Sequence, residues 1–425
     1  MNNLVLYSFR YHNPCIQVIY ARDLPPTPGF VVDYQEVNSM KTKYITDITR
    51  VPFFQTLRKR EQDILQQVTS LYPFRVSEHY LSLIDWNNPK DPLKGIIFPN
   101  PEELKMTGTQ DPSLEKQYTV QKGLQHKYPQ TALLLLSDVC GGICRFCFRK
   151  RLFMDCERQT IRDYTPALRY IRDHPELTDV LLSGGDPFIL PTKILKKVIE
   201  ELQEIPHVGI IRIGTKMLAY NPYRITDDPE LISLIQSYSN GEKKIYIMAH
   251  FNHPNELSPK TLEAIRLLQH AGAVLVNQTP VIDGVNSDPR VMSDLFRKLA
   301  SLGVSPYYVF QCRPTIGNWV YTVPVERSYH IIQSAFERCS GLAKRARFIM
   351  SHSSGKIEVV GQSNHNIFMR YHQAADPLDS HKFLICQSNP RARWFDEYEA
   401  FSPGTGPIRE WLFESDTGIY TGTTI

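Results

Sequence analysis

From residue 131 onward the chain repeats one unit: a short run of leucine or β-branched residues, then an amphipathic stretch, then another run. The runs begin near Thr131, Asp179, Val208, Lys243, Ala273, Ser305 and Arg345, at spacings of 48, 29, 35, 30, 32 and 40 residues. Those lengths suit a strand, a crossover helix and two loops. The intervening helices are legible as well. Within residues 191–205, Leu195, Val198, Ile199 and Leu202 fall at i, i+3, i+4 and i+7; within 288–303, Met292, Leu295, Phe296 and Leu299 do the same. A third, over 261–272, stops at Gly272. Strands that are near-continuously apolar (180–182, 209–213, 245–248) are buried on both faces, which predicts a parallel sheet covered by helices. The fold class is α/β, and the repeats predict a partial (β/α)6-type barrel.

Such sheets place their chemistry at the C-terminal ends of the strands. Those ends read Cys140, Ser183 to Asp186, Gly214 to Lys216, His250 to His253, Asn277-Gln278, Gln311 to Arg313, and residues 351–356. Turn geometry accounts for the glycines. It does not account for Gln278, His250 or Arg313.

The chain has 425 residues, enough for two or three domains. Residues 1–125 read as an irregular, mainly helical front end. It has a polar helical stretch at 54–71 and proline connectors at Pro25-Pro26, Pro28 and Pro99 to Pro101. With no catalytic signature, it is expected to pack on or dimerise the rest. Residues 126–345 form the barrel, and 346–425 a C-terminal extension. Lysine and arginine number 48 against 44 acidic residues, a net charge of +4, which argues against a broad nucleic-acid footprint. A hydrophobic fraction of 42% excludes wholesale disorder. Met1 to Tyr20 lacks a basic start with a continuous apolar run, and the longest apolar runs, such as 132–136, are five residues. The expectation is a soluble, cytoplasmic protein with reduced thiols, no membrane contact and no nucleic-acid partner.

Three of the eight cysteines crowd into one loop, Cys140-Gly141-Gly142-Ile143-Cys144-Arg145-Phe146-Cys147, directly after a predicted strand. Iron–sulfur clusters are normally held by four thiolates. Three would leave one iron of a 4Fe–4S cluster open to a substrate or cofactor. Zinc is the competing metal, but it calls for a fourth Cys or His at conventional spacing, and none follows nearby. Arg145, Arg149, Lys150 and Arg151 interleave with Phe146, Phe148 and Phe153, as in a base-stacking surface. A non-enzymatic metal- or RNA-binding module therefore stays open, with the near-neutral charge against it.

The C-x3-C-x2-C loop resembles the signature of radical S-adenosylmethionine enzymes, and Ser183-Gly184-Gly185-Asp186 is similar to the glycine-rich segment that meets the cofactor's methionyl end. A narrower resemblance is to the lysine 2,3-aminomutase family. It rests on His126 to Pro129, Cys144 to Arg151, Arg212 to Lys216, Arg224 to Thr226, Asn277 to Thr279, Pro306 to Cys312 and, above all, His250-Phe251-Asn252-His253-Pro254-Asn255-Glu256-Leu257. These segments run in order over roughly residues 120–360.

The resemblance implies a partial radical-enzyme barrel holding a 4Fe–4S cluster on Cys140, Cys144 and Cys147, with S-adenosylmethionine met by Ser183, Gly184, Gly185 and Asp186. It implies pyridoxal 5′-phosphate on Lys356, which follows Ser353-Ser354-Gly355, with Lys127 at its phosphate. A lysine amine exchanges such a cofactor with the substrate amine. His250, Asn252 and Gln278 are expected at the nucleoside end. The implied reaction is an isomerisation that moves the α-amino group of an amino acid to C3. The implied partners are a small amino acid and an electron donor such as flavodoxin or ferredoxin, in a homo-oligomer. A radical enzyme of other activity is the alternative.

Arg149 matches the family arginine that pairs with the substrate carboxylate. The lysine enzymes hold the distal ammonium with two aspartates. Here Arg313 stands where one should follow the Gln311-Cys312 pair, and Met350-Ser351-His352 supply no carboxylate at the other. An unpaired cation facing an ammonium in a desolvated site costs several kcal/mol. The expectation is therefore an acidic or neutral substrate, with glutamate favoured and lysine the alternative. The family's C-terminal zinc cysteines are also missing. Cys386 stands alone, no structural zinc is expected, and Cys15, Cys156, Cys312 and Cys339 read as incidental thiols.

Overall fold

The computed structural model describes residues 43–154, 159–239 and 241–399. The early proline connectors at 25–28, the first twenty residues, Cys15 and Cys156 lie outside the described residues.

One twelve-stranded sheet organises the chain. Its strands are β1 (Thr119–Gln121), β2 (Leu124–Tyr128), β3 (Thr131–Ser137), β4 (Asp179–Gly184), β5 (Ile210–Thr215), β6 (Lys244–Ala249), β7 (Val274–Pro280), β8 (Ser305–Phe310), β9 (Arg347–His352), β10 (Gly355–Gln362), β11 (Asn366–Ala374) and β12 (Phe383–Gln387). Spatial order follows chain order. Strands β3 to β9 are mutually parallel, while β1 and β2 at one edge and β10 to β12 at the other are antiparallel. Six crossover helices join the parallel strands: α1 (Thr165–Asp173), α2 (Thr192–Gln203), α3 (Pro229–Ser239), α4 (Pro259–His270), α5 (Pro289–Ser301) and α6 (Val325–Phe336).

The apolar runs form strands because one register row threads them. Leu134 faces Leu182, Leu182 faces Ile213, Ile213 faces Ile247, and Ile247 faces Leu275. All five are at most 2% exposed. Each such burial is worth about 1.5–3 kcal/mol. Leu195, Val198, Ile199 and Leu202 of α2 are buried as their spacing predicts. The helices start where the sequence caps them: Ser258 accepts from Thr261 N ahead of α4, and Asp288 from Arg290 N ahead of α5.

The sheet keeps two edges, yet it curls until the segment before β3 touches the β9–β10 turn. Ser113 Oγ donates to the carbonyl of Ser351, Tyr118 Oη to that of Ser353, and Lys127 Nζ to that of His352. The boundary expected at 125/126 falls inside β2. The one at 345/346 precedes β9, which pairs parallel with β8, so both expected cuts meet a continuous sheet. The described part of the C-terminal extension adds the antiparallel strands β10 to β12 beyond β9 and shares a second apolar core with α5 and α6, through Met292, Ile332, Met350, Ile357 and Met369. Cys386 is buried there, opposite Ile367.

The stretch expected as one helix over 54–71 is two, Pro52–Gln55 and Lys59–Leu71. This front end grips the cysteine loop. Ile143 N donates to Arg75 O and Arg145 N to Ile96 O, both at 2.9 Å. No described helix is long and apolar enough to cross a membrane.

Candidate active site

A cavity of about 340 Å³ opens at the C-terminal ends of the parallel strands, where open α/β sheets bind ligands. Cys140, Cys144, Cys147, Arg149, Ser183, Gly184, Gly185, Asp186, His250, Gln278, Arg313, Lys356 and Lys127 all line it. Asn252 does not. Its amide is committed elsewhere, Oδ1 accepting from Lys216 Nζ (2.7 Å) and Nδ2 donating to Thr279 Oγ1 (2.9 Å). Asn252, expected at the nucleoside end, instead has its amide tied to Lys216 and to β7, away from the cavity lining.

The cysteine loop follows β3 and turns back under two glycines. A Cβ on Gly141 would lie 2.4 Å from Met217 Sδ, and one on Gly142 would lie 3.0 Å from the Tyr220 ring. The three thiols are free and share the cavity. Burial raises each pKa, that of Cys144 to about 12, and in Cys140 and Cys144 the neighbouring sulfurs add to the rise. Clustered thiols that resist ionisation alone suit a cationic group that stabilises thiolates. Among the described residues no three Cys, His, Asp or Glu side chains meet the geometry of a single ion; a cluster distributes its ligands over separate irons. Beneath the loop, Glu103 receives Arg145 Nε (3.0 Å) and Nη2 (2.7 Å) and Tyr321 Oη (2.8 Å). Nothing in the sequence pattern singled out Glu103.

The turn after β4 needs its glycines. Gly184 has φ +120°, and a Cβ on Gly185 would meet Val139 O at 2.4 Å. Asp186 accepts from the backbone N–H groups of Phe188 and Lys216 and from Thr215 Oγ1. Burial nevertheless pushes its carboxyl up to about 6.

Lys356 opens β10. Gly355 before it has φ +154°, and a Cβ there would strike Gln373 O at 2.4 Å. The amine donates to Gln373 Oε1 at 2.5 Å and lies 4.1 Å from the Tyr128 ring centroid. Burial, then the charges of Arg212 and Lys127, bring its pKa down to about 7. A lysine poised there supplies free amine at neutral pH, as carbonyl chemistry requires. Lys127 is brought down to about 8, chiefly by burial. Its ammonium spends one proton on His352 O and keeps others for an anion.

The two arginines differ. Arg149 is already engaged. Its Nε and Nη2 take the carboxylate of Glu115, from 2.7 to 3.1 Å, and its Nη1 donates to Ser183 Oγ at 2.9 Å. Burial opposes ionisation of Glu115, yet Arg149, with Arg151 and Arg313, holds it well below the usual carboxylate range. The sequence reading missed Glu115, which sits in a polar stretch with no motif. Arg313 lies over the Phe148 ring, and its Nη1 is buried without a hydrogen-bond partner. His250 Nε2 is likewise buried and unpaired, with the imidazole kept neutral by burial and by Lys216. Orphaned polar atoms on a cavity wall are places where a ligand completes the bonding.

A parallel sheet that gathers three thiols, a glycine turn and an activated lysine at one rim defines an α/β enzyme. The comparisons narrow that class. No family model matches the chain. It is 48% identical to a protein of Aquifex aeolicus provisionally named L-lysine 2,3-aminomutase, over 84% of this chain and 95% of that one. It is 36% identical to the L-lysine 2,3-aminomutase of Clostridium subterminale, over 67% and 68% respectively. It is 31% identical to the glutamate 2,3-aminomutase of Clostridioides difficile, over 74% of each chain. A solved radical SAM methyltransferase from Sphaerobacter thermophilus shares 18% identity at a TM-score of 0.34, covering 53% of this chain and 68% of that one, too distant to argue from. The chain belongs to the lysine 2,3-aminomutase family. It is an isomerase, an intramolecular aminomutase of the radical S-adenosylmethionine type, whose cofactors are a 4Fe–4S cluster, S-adenosylmethionine and pyridoxal 5′-phosphate.

Proposed function

We propose that the chain moves the α-amino group of an acidic amino acid, glutamate in the simplest case, to C3. The observation that carries this is Arg313, a guanidinium at the cavity wall with a buried, unpartnered Nη1. Among the described residues the carboxylates that line the cavity are Glu115 and Asp186. Glu115 is bound by Arg149 and Arg151, and Asp186 by Thr215 and two backbone N–H groups. Neither is placed to receive a lysine ammonium. The similarity to lysine enzymes favours lysine as the second reading.

In this reading Cys140, Cys144 and Cys147 hold the cluster, and Ser183 to Asp186 with His250 and Gln278 receive S-adenosylmethionine. Lys356 carries pyridoxal phosphate, with Lys127 at the phosphate. When bound, these groups supply a carbon-centred radical and a conjugated system that stabilises the migrating nitrogen. The chain's own residues do the rest. Lys356 would hold the cofactor aldehyde through its own amine and let it go to the substrate amine, which is possible at neutral pH because burial keeps a large fraction of that amine unprotonated. Arg149 orients Ser183 and Glu115, and offers the substrate carboxylate a fork that Glu115 already shares. Arg313 takes the distal carboxylate. Tyr128, Phe148 and Phe310 line the wall with rings that keep water from the radical. The electron donor is of the flavodoxin or ferredoxin class.

The test is an amino acid screen on anaerobically reconstituted enzyme under reducing conditions. β-Glutamate among the products supports the reading, and a β-amino acid formed from lysine alone sinks it. Iron content that falls on Cys→Ala at 140, 144 or 147 checks the cluster ligands separately.

A further inference from the structure

We propose that Tyr220 tunes the reduction potential of the cluster by donating a hydrogen bond to the sulfur of Cys144. This rests on the reading that Cys144 is a cluster ligand. The hydroxyl of Tyr220 is 2.8 Å from Cys144 Sγ. Between a thiol and a phenol either group could donate. A sulfur bound to iron has no proton left, so the phenol becomes the donor.

The surroundings hold Tyr220 in that pose. It ends the short helix Met217–Tyr220 that follows β5, and it is 1% exposed. Tyr80 meets its ring edge-on at 4.7 Å, and Lys216 Nζ stands 5.2 Å from the ring centroid. The backbone carbonyl of Tyr220 accepts from Ser77 Oγ, which fixes the end of the helix. Gly142 gives the ring its room, since a Cβ there would sit 3.0 Å from two ring atoms. A glycine of the cysteine loop and a tyrosine 78 positions later are therefore matched surfaces.

The consequence is electrostatic. A one-electron reduction by an external low-potential donor adds negative charge to the cluster and its sulfurs. A hydrogen-bond donor on one sulfur stabilises that added charge and raises the potential. Tyr220 thus makes the cluster easier to reduce.

The experiment compares wild type and Tyr220→Phe after reconstitution, by iron content, by the EPR signal of the dithionite-reduced cluster, and by potentiometric titration. The phenylalanine variant should keep its iron while its midpoint falls. A tenfold shift in the reduction equilibrium, about 59 mV for a one-electron couple, is the expected scale. Gly142→Ala, which crowds the ring off the sulfur, should move the midpoint the same way, and it provides the reading if Tyr220→Phe loses its cluster. Both variants titrating at the wild-type midpoint with full iron would overturn the proposal. A wild-type chain that binds no iron would instead overturn the ligand assignment beneath it.

Discussion

Arg313 stacks its guanidinium 3.7 Å from the centroid of the Phe148 ring, leaving Nη1 buried and without a partner. Stacking satisfies the flat face of a guanidinium but not its N–H edge. Burial brings its pKa down to about 10, with Glu115 opposing the fall, so the group stays charged at neutral pH. The same cavity holds Arg149, whose fork Glu115 already shares. One cation is satisfied and one is waiting, an asymmetry that a substrate carboxylate resolves.

Replacing Arg313 by alanine should lower kcat/KM for an acidic substrate by about 30-fold or more, since losing one partner of a buried charge pair costs roughly 2–5 kcal/mol. Steady-state kinetics with iron and pyridoxal phosphate contents measured alongside would check this. An unchanged kcat/KM at full cofactor loading would place Arg313 outside the substrate site.

The depressed Lys356 makes a prediction about stability. Folded, its pKa is about 7, against 10.5 for an ordinary lysine. Between those values the unfolded chain binds a proton that the folded chain lacks, so this residue's contribution to stability rises with pH from about 7 to 10.5. Thermal melts of cofactor-free wild type and Lys356→Met at pH 7 and pH 9 test it. The variant's advantage should shrink at the higher pH, and a difference independent of pH would contradict the shift.

Glu103 offers a structural test. Its side chain is fully buried against Arg145 and Lys150. Glu103→Gln leaves two buried cations uncompensated, and such losses cost about 3–5 kcal/mol. Denaturant unfolding should register that loss. Iron retention should fall with it, because Arg145 lies between Cys144 and Cys147.

Much of this was legible in the sequence because it depends on local period. Strands began within two residues of the expected starts at Thr131, Asp179, Val208, Lys243, Ala273, Ser305 and Arg345, and the helices over 191–205 and 288–303 differed mainly at their frayed ends. The residues at the strand ends came together because parallel strands point the same way. What stayed hidden depends on contacts across distance. Glu115 reaches Arg149 and Glu103 reaches Arg145 from a segment with no motif. Asn252 sits in the most specific string of the chain, yet its side chain serves Lys216 and Thr279. Strands β10 to β12 alternate too weakly to announce themselves, and they form because a neighbouring strand offers its edge.

The most direct measurement of the substrate assignment is the ratio of kcat/KM for glutamate to that for lysine, on enzyme carrying full iron and pyridoxal phosphate. The unsatisfied Arg313 predicts a ratio well above one, falling sharply in Arg313→Asp. A wild-type ratio below one, with β-lysine as the main product, would contradict it.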